Sequence, residues 1–336
     1  MKLRKLSAIA VAAVSALFLS ACTADTATPA PPAVAPGDGA AVTETADSPL
    51  VYIVSKGFSQ QFWVAVREGA EAAGAAHGAE INFVGPDNEA AVAQQIEQLQ
   101  TAVNRRPEAI AFAALSTEAS IPLLDDAVAA GIPIIAFDSG VDTDHPVTTV
   151  ATNNYAAGAE AARVMIEQTG GTGDVAVVAH DQTSLSSVLR RDGFLNYIEA
   201  NAPGINIVDV QYTQSDVLRA ADVTRSILQG NPNLVGIFAT NEASAIGAVT
   251  GIDELGRTEG LTIIGFDSGQ GQIDAINEGR QTGAITQDPF NMGYQTVIAA
   301  LQAINGEPLP DEIDTGFFFF DADNIDEEHI RRSLYY

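Results

Sequence analysis

Asp138 and Asp267 each close an apolar run, in IIAFDSG and IIGFDSG, and each is followed by Ser-Gly. A carboxylate at the end of a buried run suits the paired hydroxyls of a polyol, because it accepts two or more hydrogen bonds. A second constellation lies in SKGFSQQFW. Lys56 is the only lysine beyond residue 5, and Gln60 precedes Phe62 and Trp63, the sole tryptophan. A flat aromatic beside ammonium, amide and hydroxyl donors suits a sugar, whose C–H face stacks on the ring while its hydroxyls take hydrogen bonds. Plainer roles stand beside these. Phe62 and Trp63 fit a core at a helix start. Asp138 and Asp267 fit caps on the helices that follow.

Catalysis finds little support. Asp-Ser-Gly has no histidine at a plausible spacing, and neither a GxGxxG after the first strand nor a GxSxG is present. His77, His145, His180 and His329 lack metal-ligand spacing, and of these only His180 directly follows a predicted strand. A binding protein with no cofactor and no metal is the expectation.

The polar groups need elements to hold them. Apolar runs at 51–54, 80–84, 109–113 and 134–137 read as buried strands. They alternate with helical periodicity over 62–77, 88–104 and 117–130. Gly131-Ile132-Pro133 ends the last of these helices. The alternation restarts with a helix at 155–168 and continues through strands at 174–179, 205–210, 234–239, 262–266 and 282–286. Four Phe residues at 317–320 read as one more buried strand. Strand–helix alternation implies parallel sheets with helices on both faces, and the restart implies two such lobes. In open sheets of this kind ligands bind at the carboxyl ends of strands, where Lys56, Asp138 and Asp267 all fall.

The N-terminus reads as an export signal. Lys2, Arg4 and Lys5 precede an apolar stretch at 6–19, too short to span a bilayer comfortably. Residues 23–48, rich in Ala, Pro, Thr, Gly and Asp, read as a flexible tether. The formal charge is −27, and removing residues 1–21 leaves about −30. Such acidity opposes nucleic acid and anionic membrane surfaces as partners and serves solubility.

Seven segments, in order, resemble those of type I periplasmic sugar-binding proteins, in the branch of the ribose-binding protein. They are SKGFSQQFW, GIPIIAFDSG, VATNNYAAG, SSVLRRDGF, IFATNEASAIGA, IIGFDSG and ITQDPFNMGY. LSAC at 19–22 likewise resembles a lipoprotein signal, with Cys22, the only cysteine, as the acylated residue. The resemblance implies an α/β fold of two doubly wound parallel-sheet lobes joined by a hinge. It implies one lobe at 49–152 plus 289–312 and another at 153–288 plus 313–336. The crossovers fall near Thr152-Asn153, Gln287-Asp288 and Ile313-Asp314. It also implies that Phe62 and Trp63 sandwich the sugar ring, that Asp138, Asn241 and Asp267 contact its hydroxyls, that Gln287 is a hinge-side amide, and that Gln60 lies near an amide of the first loop.

Three departures from that pattern bear on the ligand. Ser139 stands where the ribose branch has arginine, and a second family arginine aligns with Val188. Arg190, close by, either replaces that arginine or matches a structural arginine of the helix; a solvated pair with Arg191 is the plain alternative. The first loop is one residue longer and carries Lys56. Ribose is therefore not carried over, and ligands of such variants range over sugars, polyols and autoinducer-like molecules.

The implied function is capture of a sugar or polyol between the lobes and delivery to an ABC permease, by a monomer anchored through lipid to the outer face of the cytoplasmic membrane. A lipoprotein sensor signalling to a membrane receptor is the alternative. Cys22→Ser is expected to move the protein from the membrane fraction to the medium; fractionation and immunoblotting check this, and a variant that stays with the membrane sinks the lipid anchor.

Overall fold

The computed structural model describes residues 48–58 and 60–335. The export signal, Cys22 and the tether before Ser48 lie outside the described residues. The chain opens with β1 (Leu50–Val54), α1 (Gln61–His77), β2 (Glu80–Val84), α2 (Val92–Arg105) and β3 (Ala109–Phe112). It continues through α3 (Ile121–Ala129), β4 (Ile134–Phe137) and β5 (Pro146–Ala151). A second run follows: α4 (Asn154–Thr169), β6 (Thr172–Ala179), α5 (Leu185–Asn201), β7 (Gly204–Tyr212) and α6 (Val217–Gly230). That run ends with β8 (Leu234–Ala239), α7 (Glu242–Glu254), β9 (Thr262–Phe266), α8 (Gln270–Asn277) and β10 (Gly283–Gln287). The last elements are α9 (Pro289–Ile304), β11 (Glu312–Asp314), β12 (Phe317–Phe320) and α10 (Glu328–Arg331).

These build two six-stranded sheets, ordered β11-β5-β4-β3-β1-β2 and β12-β10-β9-β8-β6-β7. Every pairing is parallel except β12 against β10. Alternation along β1 shows why both faces must be covered. Val51 and Ile53 pack with Phe62, Trp63 and Val66 of α1 and with α9. Tyr52 and Val54 pack on the other face with Leu99 of α2 and Leu124 of α3. In the second sheet Val175 and Val177 face α4 and α5, while Ala176 and Val178 face α6 and α7.

The chain passes between sheets after β5, after β10 and between β11 and β12. β11 continues the first sheet's edge through Asp314, two residues past the expected boundary. Strands β5 and β11, which pair with each other at one end of the first sheet, were not expected: neither is an unbroken apolar run, β5 begins with proline, and β11, the edge, has only three residues. The phenylalanine strand does form, but Phe318 is exposed because β12 is an edge. Helices α2 and α3 start four residues later than periodicity suggests.

Glycines let paired helices approach closely. A Cβ on Gly158 of α4 would run into the carbonyl of Arg190, and one on Gly193 of α5 would meet that of Tyr155. That contact sets the depth of Arg190. Gly158→Ala is expected to cost roughly 1–3 kcal/mol, the scale of overpacking in a tight core. Urea unfolding checks it, and unchanged stability would show that α4 and α5 can separate freely.

Candidate functional site

The carboxyl ends of the two sheets face each other, and the polar residues after each strand converge there. Lys56 follows β1, Glu89 follows β2 and Asp138 follows β4. From the opposite lobe come His180 after β6, Asn241 after β8, Asp267 after β9 and Gln287 at the end of β10. With Gln60, Phe62, Trp63, Arg190 and Glu242 they line a cavity of about 20 Å³. That is about the space one water needs.

Asp138 and Asp267 occupy equivalent places. Both take the left-handed backbone region, at φ 56° and 78°. Their amides donate to the neighbouring strand, Asp138 to Val150 O at 2.9 Å and Asp267 to Ile285 O at 2.7 Å. Left-handed non-glycine residues are uncommon, and Asp is among the few that tolerate the region. Two at matching strand ends in both lobes are the kind of strain that collects at functional sites. The capping alternative holds only in part. Asp267 Oδ2 accepts from Glu242 N at 2.9 Å, at the start of α7 rather than of the next helix, while Asn241 caps α7.

Lys56 spans the lobes. Its Nζ lies 2.7 Å from Asp138 Oδ2 and donates to Ser186 Oγ of α5 at 3.0 Å. Burial alone would lower its pKa, but Asp138 and Glu89 outweigh burial and hold it above the usual lysine value. Glu89 is the counterpart from the first lobe. It accepts from Trp63 Nε1 at 2.9 Å, and across the cleft from Ser215 Oγ at 2.7 Å and Asn241 Nδ2 at 3.2 Å. Burial raises its pKa, yet Lys56, His180 and the hydrogen bonds from Ser215 and Trp63 bring the net shift below the ordinary carboxylate value. Sequence reasoning passed over Glu89 because it falls at the start of the helix expected over 88–104, where a carboxylate is ordinary.

Arg190 is buried, not solvated. Its Nε donates to Asn154 Oδ1 at 2.8 Å and one terminal nitrogen to Thr240 O at 2.9 Å. Its guanidinium lies 3.6 Å over the Phe266 ring, a cation–π stack. It therefore holds the second lobe together and also lines the cavity. Burial, with Arg190 and Lys56 nearby, holds the His180 pKa well below normal, so this side chain is neutral near pH 7.

Two features of the expected site are arranged differently in this structure. Phe62 and Trp63 form no sandwich: their rings meet edge to face at 89° with centroids 4.9 Å apart, so no ligand ring fits between them. The reason is that adjacent residues on one helix diverge by a third of a turn, and Phe62 turns toward Tyr335 while Trp63 turns toward Phe137. Ser139 does not line the central cavity. Its Oγ accepts from Ser186 N at 3.3 Å, and it borders a separate cavity of about 130 Å³ at the hinge.

Three buried oxygens at the cavity lack partners among the described residues: Gln60 Oε1, Glu242 Oε2 and Gln287 Oε1. All are acceptors. A buried acceptor without a partner costs about 1–3 kcal/mol, so the arrangement favours an occupant that brings hydrogen-bond donors. No group of three or more His, Cys, Asp or Glu side chains suited to a metal occurs among the described residues.

Residues 51–308 match the family model described as "Periplasmic binding protein domain". A D-allose-binding periplasmic protein of Escherichia coli is 26% identical over 249 residues, covering 72% of this chain and 80% of that protein. A xylitol-binding protein of Mycolicibacterium smegmatis is 25% identical, covering 84% and 76%. An ABC transporter solute-binding protein of Agrobacterium vitis, solved with bound D-fucose, superposes with a TM-score of 0.82 at 33% identity, covering 85% of this chain and all of that one.

The charge arrangement has a consequence for pH. Burial, with Asp267 and Glu89 beside it, pushes Glu242 from 4.5 up to about 8. The folded state then holds a proton that the unfolded chain releases above about pH 4.5, so stability falls as pH rises from there to about 8 and levels beyond. Asp267, raised by burial, acts in the same direction. Glu242→Gln is expected to flatten that fall and to raise the melting temperature at pH 8. Melting curves from pH 5 to 9 check it; parallel profiles for the two proteins would place Glu242 in water.

Proposed function

We propose a sugar-capturing role for this chain, which belongs to the periplasmic binding protein domain family in its type I, sugar-binding branch. It takes a sugar or polyol between two lobes and delivers it to an ABC transporter permease outside the cytoplasm. The observation that carries this reading is the mirrored pair Asp138 and Asp267, held at matching strand ends and facing one cavity with unpartnered acceptors. A polyol brings the donors those acceptors need. The relatives' ligands, D-allose, xylitol and D-fucose, share this hydroxyl-rich, uncharged chemistry.

Capture requires motion, because a cavity of about 20 Å³ does not admit a pyranose. The lobes, 49–152 with 289–314 and 153–288 with 315–334, part about the three crossovers. Parting breaks Lys56 to Ser186 and Glu89 to Ser215 and Asn241. The ligand then replaces those bonds and closure resumes around it. Trp63 offers an edge and part of one face to the sugar, Lys56 and Arg190 act as donors, and Gln60, Asn241 and Gln287 supply amides. The binding unit is a monomer, held to the membrane by lipid on Cys22.

A thermal-shift screen of aldoses, ketoses and polyols, followed by calorimetry, tests the reading. Ligand raises the melting temperature because only the folded state binds it. Asp138→Ala and Asp267→Ala are each expected to weaken the identified ligand at least tenfold, since each strands buried hydroxyls at about 1–3 kcal/mol or more. Their combination should be non-additive, because each carboxylate acts fully only when the other lobe has closed. Wild-type affinity in either single variant removes that carboxylate from the site.

A further inference from the structure

Residues 321–335 lie beyond the span that matches the family model. Most of this segment packs on the second lobe, with Ile325, Ile330 and Leu334 against Ile273, Ile276 and Phe320. Tyr335 does not. Its ring joins the core of the first lobe, edge to face with Phe62 at a centroid distance of 5.8 Å. Its hydroxyl accepts from Ser268 N at 3.1 Å, one residue after Asp267. Thr286 Oγ1, one residue before Gln287, donates to Ser333 O at 2.7 Å. The segment is thus fastened beside two cavity residues of one lobe while its last described ring holds a cavity residue of the other.

We infer that Tyr335 is a positioning residue of the ligand site, fixing Asp267 and Phe62 from opposite lobes so that seating of the 321–335 segment and closure of the cleft go together. This rests on the sugar-binding reading of the cavity. Tyr335 is absent from the cavity wall, so it acts through its two neighbours. Burial, with Asp267 and Glu242 close by, raises the pKa of its hydroxyl and keeps it protonated. A crevice of about 610 Å³ between α1, the start of α9 and residues 331–335 leaves one flank of the segment uncovered.

The test compares Tyr335→Phe and Tyr335→Ala with the wild-type mature chain. Calorimetry uses D-allose, D-fucose and xylitol as probes; small-angle scattering and Trp63 emission are read without ligand. Tyr335→Phe keeps the ring on Phe62 but loses the bond at Ser268. It is expected to melt close to wild type yet bind about three- to tenfold more weakly, the scale of one neutral hydrogen bond. Tyr335→Ala is expected to red-shift Trp63 emission and enlarge the radius of gyration. Full affinity in Tyr335→Phe overturns the proposal and leaves a core filler. So does a folded Tyr335→Ala with unchanged emission and radius. If Tyr335→Ala does not fold, Tyr335→Phe alone decides. If no probe binds the wild type, the sugar reading has failed for these ligands, and unchanged scattering and emission in Tyr335→Phe overturn the positioning role independently.

Discussion

A buried ammonium has to be neutralised, and around Lys56 that requirement organises the cleft. Isolated, its charge would not survive burial. It is kept by Asp138 at 2.7 Å and by Glu89 nearby, both from its own lobe, and by a hydroxyl from the other. The satisfaction of one charge therefore needs both lobes. Glu89 repeats the logic with opposite sign, drawing on Trp63 from its own side and on Ser215 and Asn241 from across. Buried ion pairs of this sort add little net stability, but breaking one partner away is strongly unfavourable. They set where the lobes meet more than how firmly each lobe folds.

The two halves are alike in backbone and unlike in chemistry. Each ends a central strand in a left-handed Asp held by the next strand's carbonyl. In the first lobe that Asp meets an ammonium. In the second it meets a glutamine amide at 2.7 Å and a helix N-terminal amide. The difference pairs Asp138 with a cation, whereas burial raises the pKa of Asp267 and Glu242.

Much of this was legible in the sequence because parallel strands covered on both faces leave unbroken apolar runs. The runs ending at Phe137 and Phe266 announced both strands and both carboxylates. Strands β5 and β11 left no such run, since polar and half-exposed residues interrupt both. Arg190 sat between two readings until Asn154 and Thr240, 36 and 50 residues away, fixed its donors. Glu89 and Tyr335 were hidden for the same reason: only contacts distant in sequence make them interior. The ring angle between Phe62 and Trp63 depends on side-chain neighbours that no local pattern encodes.

Closing the cleft and binding a polyol compete for the same groups. Lys56, Glu89 and Asn241 already have partners when the lobes meet, so a ligand that engages them exchanges bonds of similar worth. Gln60 Oε1, Gln287 Oε1 and Glu242 Oε2 have no such partners. A hydroxyl reaching one of these relieves a cost that closure alone leaves in place. On the sugar-binding reading, these orphaned oxygens add to the affinity supplied by Asp138 and Asp267, whereas Lys56 and Glu89, whose bonds cross the cleft, bear on the equilibrium between open and closed. Selectivity among sugars follows the same division. A site built to accept a hydroxyl rejects the analogue that lacks it far more strongly than a site that merely fits a shape. Epimers that turn a hydroxyl away from Gln287 or Glu242 lose a bond the protein cannot make for itself, while changes facing Lys56 are absorbed by the partners it already has.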